Sequence, residues 1–151
     1  MAAPKGNEFW KLRSKHGRDK LFSTPDLLWE AATNYFKWCV ENPLKEEKAF
    51  HYQGQIIKES VDKLRAFTLS GLATYLDCSV EYLKNFEENN KDSKDFMPII
   101  TRIRQVIYNQ KFEGAAADLL NPNIIARELG LADKKEVGLT VEQPLFSDEN
   151  N

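Results

Sequence analysis

The chain has 151 residues, 42% of them apolar, with nine Phe, five Tyr and three Trp, which suits one domain with a hydrophobic core. It has no run of 18 apolar residues and no apolar leader, so neither a membrane span nor a secretory signal is expected. The formal net charge is −2, and the two cysteines, Cys39 and Cys78, are expected to be reduced and buried.

Residues 1–22 form a predicted basic N-terminal arm. The first 20 residues hold six Lys or Arg and two acids, whereas the rest of the chain has a net charge of −6. A basic arm on an acidic body is typical of a contact with phosphates or with an acidic partner, and a solvated tail is the alternative. The residues that we predict to contact DNA are Lys11, Arg13, Lys15, Arg18 and Lys20.

Residues 23–92 are predicted to form a helical domain that carries a β-hairpin. Thr24 and Pro25 predict a helix start, and apolar residues recur at helical spacing as far as Asn42-Pro43, which predicts its end. Within residues 47–61, two β-prone segments flank Gln53-Gly54 and predict a hairpin that projects from the helical body.

Residues 68–88 have the spacing of a helix-turn-helix unit, with Thr68 and Ser79 as the two N-caps. The exposed side of the second helix is predicted to carry three carboxylates and one ammonium, which disfavours phosphate. A helical hairpin used only for packing is therefore an equally weighted interpretation. Tyr82, Lys84 and Asn85 are a second set of predicted DNA contacts.

Residues 93–133 are predicted to form a helical oligomerisation core. A long helix is expected from about Phe96 to Leu120, and a short helix begins at Asn121-Pro122 and is closed by Gly130. Gly in a helix costs about 1 kcal/mol relative to Ala, so a close approach by a second helix is expected. The residues predicted to serve this contact are Ile107, Gly114, Ala115, Ala116 and Ala117.

Residues 134–146 are predicted to contain a C-terminal strand. The apolar residues Val137, Leu139 and Val141 alternate there with Gly138, Thr140 and Glu142, which is the period of a strand. A lone strand leaves its backbone groups unpaired. We therefore expect strands of neighbouring copies to join in an intersubunit β-barrel. Residues 147–151 form an acidic tail.

The sequence lacks the motifs of a nucleotide-hydrolysing or metal-dependent enzyme. The pattern G-x-x-x-x-G-K-[ST] does not occur, and the His and Cys residues do not have metal-ligand spacing. No pair of carboxylates stands out as acid and base. We expect no enzyme activity, no cofactor and no metal.

Four segments resemble the small terminase subunit of tailed bacteriophages, over about residues 1–135. They are MAAPKGNEFWKLRSKHGR, ENPLKEEKAFHYQGQIIKE, AFTLSGLATYLDCS and IYNQKFEGAAADLLNPNIIARELGLAD. The resemblance implies rings that recognise the packaging start site on viral double-stranded DNA. It also implies a large subunit that holds the ATPase and the nuclease.

The sequence thus predicts a mainly α protein, a ring-forming DNA-packaging adaptor of eight or more subunits. It is expected in the host bacterial cytoplasm and not in the mature virion. Some members of the family have a strongly basic C-terminal tail, which residues 134–151 lack, so the predicted DNA contact shifts to the arm. A dimeric helix-turn-helix transcription regulator is the alternative, and a purely structural ring that scarcely touches DNA is a third possibility.

Overall fold

A computed structural model describes residues 21–131, which form five helices and one antiparallel hairpin. In chain order these are α1 (Pro25–Glu41), β1 (Leu44–Tyr52), β2 (Gln55–Lys63), α2 (Leu69–Tyr75), α3 (Val80–Asn89), α4 (Phe96–Ala116) and α5 (Pro122–Leu129). The predicted mainly α fold with its hairpin is confirmed. Most of the arm, the C-terminal strand and the acidic tail lie outside the described residues, so the intersubunit barrel stays a prediction.

The helices begin where short polar side chains satisfy their first amides. The hydroxyl of Thr24 accepts a hydrogen bond from the amide of Leu27 at 3.2 Å, and α1 begins at the next residue. Ser79 caps α3 in the same way, accepting from the amide of Tyr82 at 3.1 Å. Each of these hydrogen bonds joins residues only three apart, so the helix starts could be predicted from the sequence, and they are confirmed.

One hydrophobic cluster joins α1, α2 and α4. Its buried members include Leu28, Ala32, Tyr35, Phe36 and Cys39 of α1, Leu72 of α2, Leu76 at the end of α2, and Ile100, Ile103 and Ile107 of α4. Burial also raises the pKa of the Cys39 thiol. Cys78 is only half-buried, in contrast to the prediction, because it lies in the turn between α2 and α3. The cluster joins helices from before and after residue 92, so the predicted domains 23–92 and 93–133 share one hydrophobic core.

The long helix α4 ends at Ala116, four residues before the predicted end at Leu120. Asp118 has a φ of +57°, a left-handed conformation that turns the chain out of the helix. The amides of Leu119 and Leu120 then both donate to the carbonyl of Gly114, at 2.8 and 3.0 Å. The prediction was wrong because it took Pro122 as the stop, whereas the helix is closed by this earlier turn.

The hairpin projects from the helical body. Its strands pair from Leu44 with Lys63 at the base to Tyr52 with Gln55 at the tip, slightly beyond the predicted range 47–61. Gln53 and Gly54 both have positive φ, 48° and 75°, as a tight two-residue hairpin turn requires. Every residue from 47 to 60 is exposed, so no described part of the chain covers either face of the outer hairpin.

Candidate DNA-contact and subunit-contact surfaces

The helix-turn-helix-like unit presents two of its three predicted DNA contacts to solvent. Lys84 and Asn85 are exposed on α3. Tyr82 is half-buried, and its ring packs edge-on against Phe22 with centroids 5.2 Å apart. The ring of Tyr82 therefore helps to hold α3 against the core.

The charge on α3 is unfavourable for DNA. Glu81 and Glu88 are exposed, and the single Nε–H of Arg104 on α4 is shared between the two carboxylate oxygens of Glu87, each at 2.9 Å. This pair fixes α3 to α4 and engages a cation that could otherwise meet a phosphate. The acidic surface favours the packing interpretation of this unit.

The described body is acidic as a whole. Residues 21–131 hold 13 Lys or Arg against 16 Asp or Glu, a net charge of −3, whereas residues 1–20 have a net charge of +4. The predicted arm contacts, Lys11, Arg13, Lys15, Arg18 and Lys20, lie outside the described residues. By sequence, the net positive charge is therefore concentrated in residues 1–20.

The residues predicted for oligomerisation have mixed environments. Ile107 is buried in the core, Ala115 is half-buried, and Ala116 and Ala117 are exposed, with Ala117 just beyond the end of α4. Val137, Leu139 and Val141 lie outside the described residues.

Gly114 is small because its own chain approaches it closely. A Cβ at this position would lie 2.8 Å from Cδ1 of Leu120 and 3.0 Å from Cδ2 of Leu64. The sequence predicted a close approach by a second helix, whereas the neighbours found here are a turn and a linker of the same chain. A contact of the small residues with another subunit stays a prediction.

An exposed apolar surface on α4 and α5 was missed by the sequence reasoning. Tyr108 and Phe112 are 43% and 48% exposed, and their rings stack nearly parallel with centroids 6.2 Å apart. Leu119, Ile124 and Leu131 are also exposed. We call these five residues the α4–α5 apolar surface, although Leu119 and Leu131 lie just beyond the ends of α4 and α5.

The burial of two neighbouring residues on α4 is the reverse of the usual preference. Lys111 is only 5% exposed and its ammonium lies 2.5 Å from a carboxylate oxygen of Glu128 on α5, whereas Phe112 faces solvent. Lysine is rarely buried unless it is paired, and large aromatics usually lie inside. The spacing of Tyr108, Phe112 and Ala116, four residues apart, was the sequence signal of this second stripe.

The linker that joins the hairpin to α2 is held by α4. The side-chain amide of Gln110 donates to the carbonyl of Arg65 at 3.0 Å, and its oxygen accepts from the amide of Phe67 at 2.9 Å. The guanidinium of Arg65 lies over the ring of Trp38, and its Nε donates to the carbonyl of Asn42 at 2.6 Å. With Leu64 packed on Gly114, the base of the hairpin is fixed to both α1 and α4.

The residues from 21 to 131 do not hold a cluster of metal-ligating side chains. In this range, no three His, Cys, Asp or Glu side chains come together as a metal site would require. No helix in the same part of the chain is long and apolar enough to cross a bilayer.

Comparison with known proteins places the chain in a family. The family model described as DNA-packaging protein gp3 matches residues 17–137. The chain is also 50% identical, over 137 residues, to the small subunit of the terminase of Salmonella phage P22, covering 91% of this chain and 82% of that protein. The chain therefore belongs to the gp3 family of DNA-packaging proteins, the bacteriophage terminase small subunits.

Proposed function

We propose that this chain is the DNA-binding, non-enzymatic adaptor of a phage genome-packaging machine. Copies assemble into a ring that recognises the packaging site on viral double-stranded DNA and recruits and regulates the large terminase ATPase-nuclease. The P22 relative is named a small subunit, which supports a larger companion. The adaptor acts in the host bacterial cytoplasm and leaves before the virion matures.

The reversed burial of Lys111 and Phe112 is the observation that carries the assembly. The exposed aromatic stack of Tyr108 and Phe112, together with exposed Leu119, Ile124 and Leu131 in the segment that follows, leaves large apolar side chains in water. Surfaces of this kind mark protein contacts. In the proposal, a neighbouring copy covers it, and the small residues Gly114–Ala117 and the C-terminal strand add further contacts between subunits.

A matched pair of lysine substitutions on α4 tests the assembly. Phe112→Lys places a charge in the α4–α5 apolar surface, and Thr101→Lys places one at an exposed position about 16 Å along the same helix. Native mass spectrometry should show a ring of eight or more subunits for the wild type and for Thr101→Lys, and smaller species for Phe112→Lys. A Phe112→Lys ring of unchanged mass and stability would refute the assignment of this surface.

The arm carries the DNA contact in this proposal, with Lys84 and Asn85 of α3 as secondary contacts and Tyr82 mainly placing α3. Because the described body is net negative, each copy binds weakly, and a ring gains affinity by repeating the contact. The number of copies in the ring therefore sets the affinity for DNA.

Replacing Lys11, Arg13, Lys15 and Arg18 with Ala tests this DNA contact. Its control replaces the four hairpin lysines, Lys45, Lys48, Lys58 and Lys63, so that both variants give up the same charge. We expect the arm variant to bind DNA much more weakly. The slope of log affinity against log salt should shrink by up to about 0.9 for each phosphate that the arm no longer neutralises. Equal weakening in both variants, with both rings intact by native mass spectrometry, would show that the arm is not the main DNA contact.

The dimeric regulator is less well supported than the packaging adaptor. A reading helix in the major groove needs side chains that reach base edges without repelling the backbone. On α3 the exposed set includes Glu81 and Glu88, and Glu87 is paired with Arg104. If the purified protein were a compact dimer that binds a symmetric pair of DNA half-sites, the regulator would be the better-supported function.

A further inference from the structure

The outer half of the hairpin has one apolar face. In an antiparallel pair, directly opposed residues lie on the same face. Phe50 is opposite Ile57, and Tyr52 follows Phe50 by two residues on the same face. These three side chains, Phe50, Ile57 and Tyr52, are 48%, 41% and 63% exposed. Ile56, one residue from Ile57, points to the opposite face.

A free-standing hairpin of this kind is incomplete. Two strands alone are marginally stable in water, and they gain stability when one face packs against another element. Phe50, Tyr52 and Ile57 together expose apolar surface on the order of 300 Å². That is a substantial part of the roughly 500 Å² that each partner contributes to a small specific interface.

The charges of the hairpin favour a protein over a nucleic acid as the partner. Residues 44–63 hold four lysines and four acids, so the hairpin is neutral when its histidine is uncharged. Several of these charges are already paired on the hairpin itself, as in Lys63–Glu46 at 2.8 Å and Lys58–Glu47 at 3.7 Å. A hairpin without net positive charge lacks the attraction that drives phosphate binding.

The hairpin and the α4–α5 apolar surface cannot meet within one chain. The hairpin base is held by Gln110 and Gly114, whereas Tyr108 and Phe112 are exposed on the same helix. Successive residues of a helix are about 100° apart. Gln110 and Gly114, which hold the hairpin base, therefore lie on a different side of α4 from the aromatic stack. A second copy is free of this restriction, and head-to-tail contacts of this kind form a ring when the rotation between copies closes.

We propose that the outer hairpin face, formed by Phe50, Tyr52 and Ile57, docks on the α4–α5 apolar surface of the next copy in the assembly. This contact rests on the assembly in the proposed function and names the element that covers the aromatic stack. Because Arg65, Gln110 and Leu64 fix the hairpin base, every copy presents its hairpin to the next in the same direction.

Two adjacent isoleucines provide the test. Ile57→Lys puts a charge on the proposed docking face, and Ile56→Lys puts the same charge on the opposite face, one residue away. Both positions are exposed and lie outside the core, so both variants are expected to fold, and thermal unfolding by circular dichroism checks this. In sedimentation velocity over a dilution series, Ile57→Lys should raise the concentration for half-dissociation at least tenfold. Ile56→Lys should change it less than threefold.

Cross-linking locates the contact. Full-length chains with Cys78→Ser receive either Ile57→Cys or Ala116→Cys, and the two are mixed and treated with a short bismaleimide. Ala116 is exposed one turn beyond Phe112, so a 57–116 product is expected. Lys84→Cys on α3 replaces Ala116→Cys as the control and should give no such product.

The outcomes separate this contact from the proposed function. A wild-type monomer at micromolar concentration would refute both. A ring broken by Phe112→Lys but unaffected by Ile57→Lys, without a 57–116 product, would overturn the hairpin contact alone. In that case, weaker capture of the purified large subunit by Ile57→Lys would assign the hairpin face to that partner.

Discussion

Gly71 lies where α2 meets the deeply buried Tyr35, and its replacement by Ala should destabilise the fold. A Cβ at this position would lie 2.3 Å from the hydroxyl oxygen of Tyr35 and 2.8 Å from that of Thr68. Tyr35 is 2% exposed and cannot swing into solvent. The same hydroxyls accept hydrogen bonds from the backbone, Tyr35 from the amide of Thr68 at 3.2 Å and Thr68 from that of Gly71 at 2.8 Å.

The cost of Gly71→Ala follows from these close distances. Overpacking a core costs about 1–3 kcal/mol, and the loss of an N-cap or of a hydrogen bond costs about 1 kcal/mol each. The better helix propensity of Ala returns up to about 1 kcal/mol. We therefore expect a decrease of about 2–4 kcal/mol in the free energy of unfolding, and a fall in Tm of roughly 5–15 °C.

A double-mutant cycle tests whether the clash with Tyr35 is the cause. Tyr35→Phe removes the hydroxyl and should cost about 1 kcal/mol by itself. In the double variant the closest contact is gone, so it should be at least about 1 kcal/mol more stable than the sum of the single changes. Urea unfolding at one protein concentration measures all four proteins, because assembly adds to apparent stability.

Ser70→Ala is the matched control for this cycle, at an exposed position of the same helix turn. It should change the free energy of unfolding by less than about 0.5 kcal/mol. A Gly71→Ala protein as stable as the wild type would refute the steric reasoning, and so would a strictly additive cycle.

Other predictions concern buried charge and alkaline pH. In urea unfolding, Glu128→Ala should cost about 2 kcal/mol because it leaves the buried ammonium of Lys111 without its carboxylate, whereas Lys111→Met should stay within about 1 kcal/mol. Burial raises the pKa of the Tyr35 hydroxyl and of the Cys39 thiol, whose ordinary values are 10.0 and 9.0. The stabilisation that the neutral hydroxyl and thiol contribute is complete below their ordinary pKa values. It is lost as the pH rises through their higher pKa values in the folded state, so the free energy of unfolding should fall from about pH 9 upward. The double variant Tyr35→Phe/Cys39→Ala should show a shallower fall in a pH series of unfolding curves.

Features set by neighbouring residues could be predicted from the sequence. Thr24, Ser79 and Asn121 each cap the helix that follows, and Gln53-Gly54 makes the hairpin turn, as predicted. Each depends on hydrogen bonds or dihedral angles within a few residues. The fold class followed because these local signals agreed with the apolar spacing.

Features that depend on distant residues could not be predicted. A close approach at Gly114 was predicted from a second helix, whereas the neighbours are Leu64, 50 residues away, and Leu120. Helical spacing alone did not indicate the environments of Lys111 and Phe112, because the buried ammonium depends on Glu128 of α5. Of the predicted DNA contacts in the described residues, Tyr82 is half-buried because Phe22 packs on it.

The buried ion pair also bears on the apolar surface. Glu128 is on α5, and its bond to Lys111 holds α5 against α4 beside the exposed aromatic stack. Ile124 lies on α5 and Leu131 lies two residues beyond its end, so the placement of both depends on how α5 is held. In Lys111→Met, the new side chain can fill the space of the lysine stem, so this variant should preserve both the fold and the assembly. Glu128→Ala should weaken the assembly more than it weakens the core, because it releases Ile124 and Leu131 of the α4–α5 apolar surface while Ile100 and Ile103 stay packed against α1.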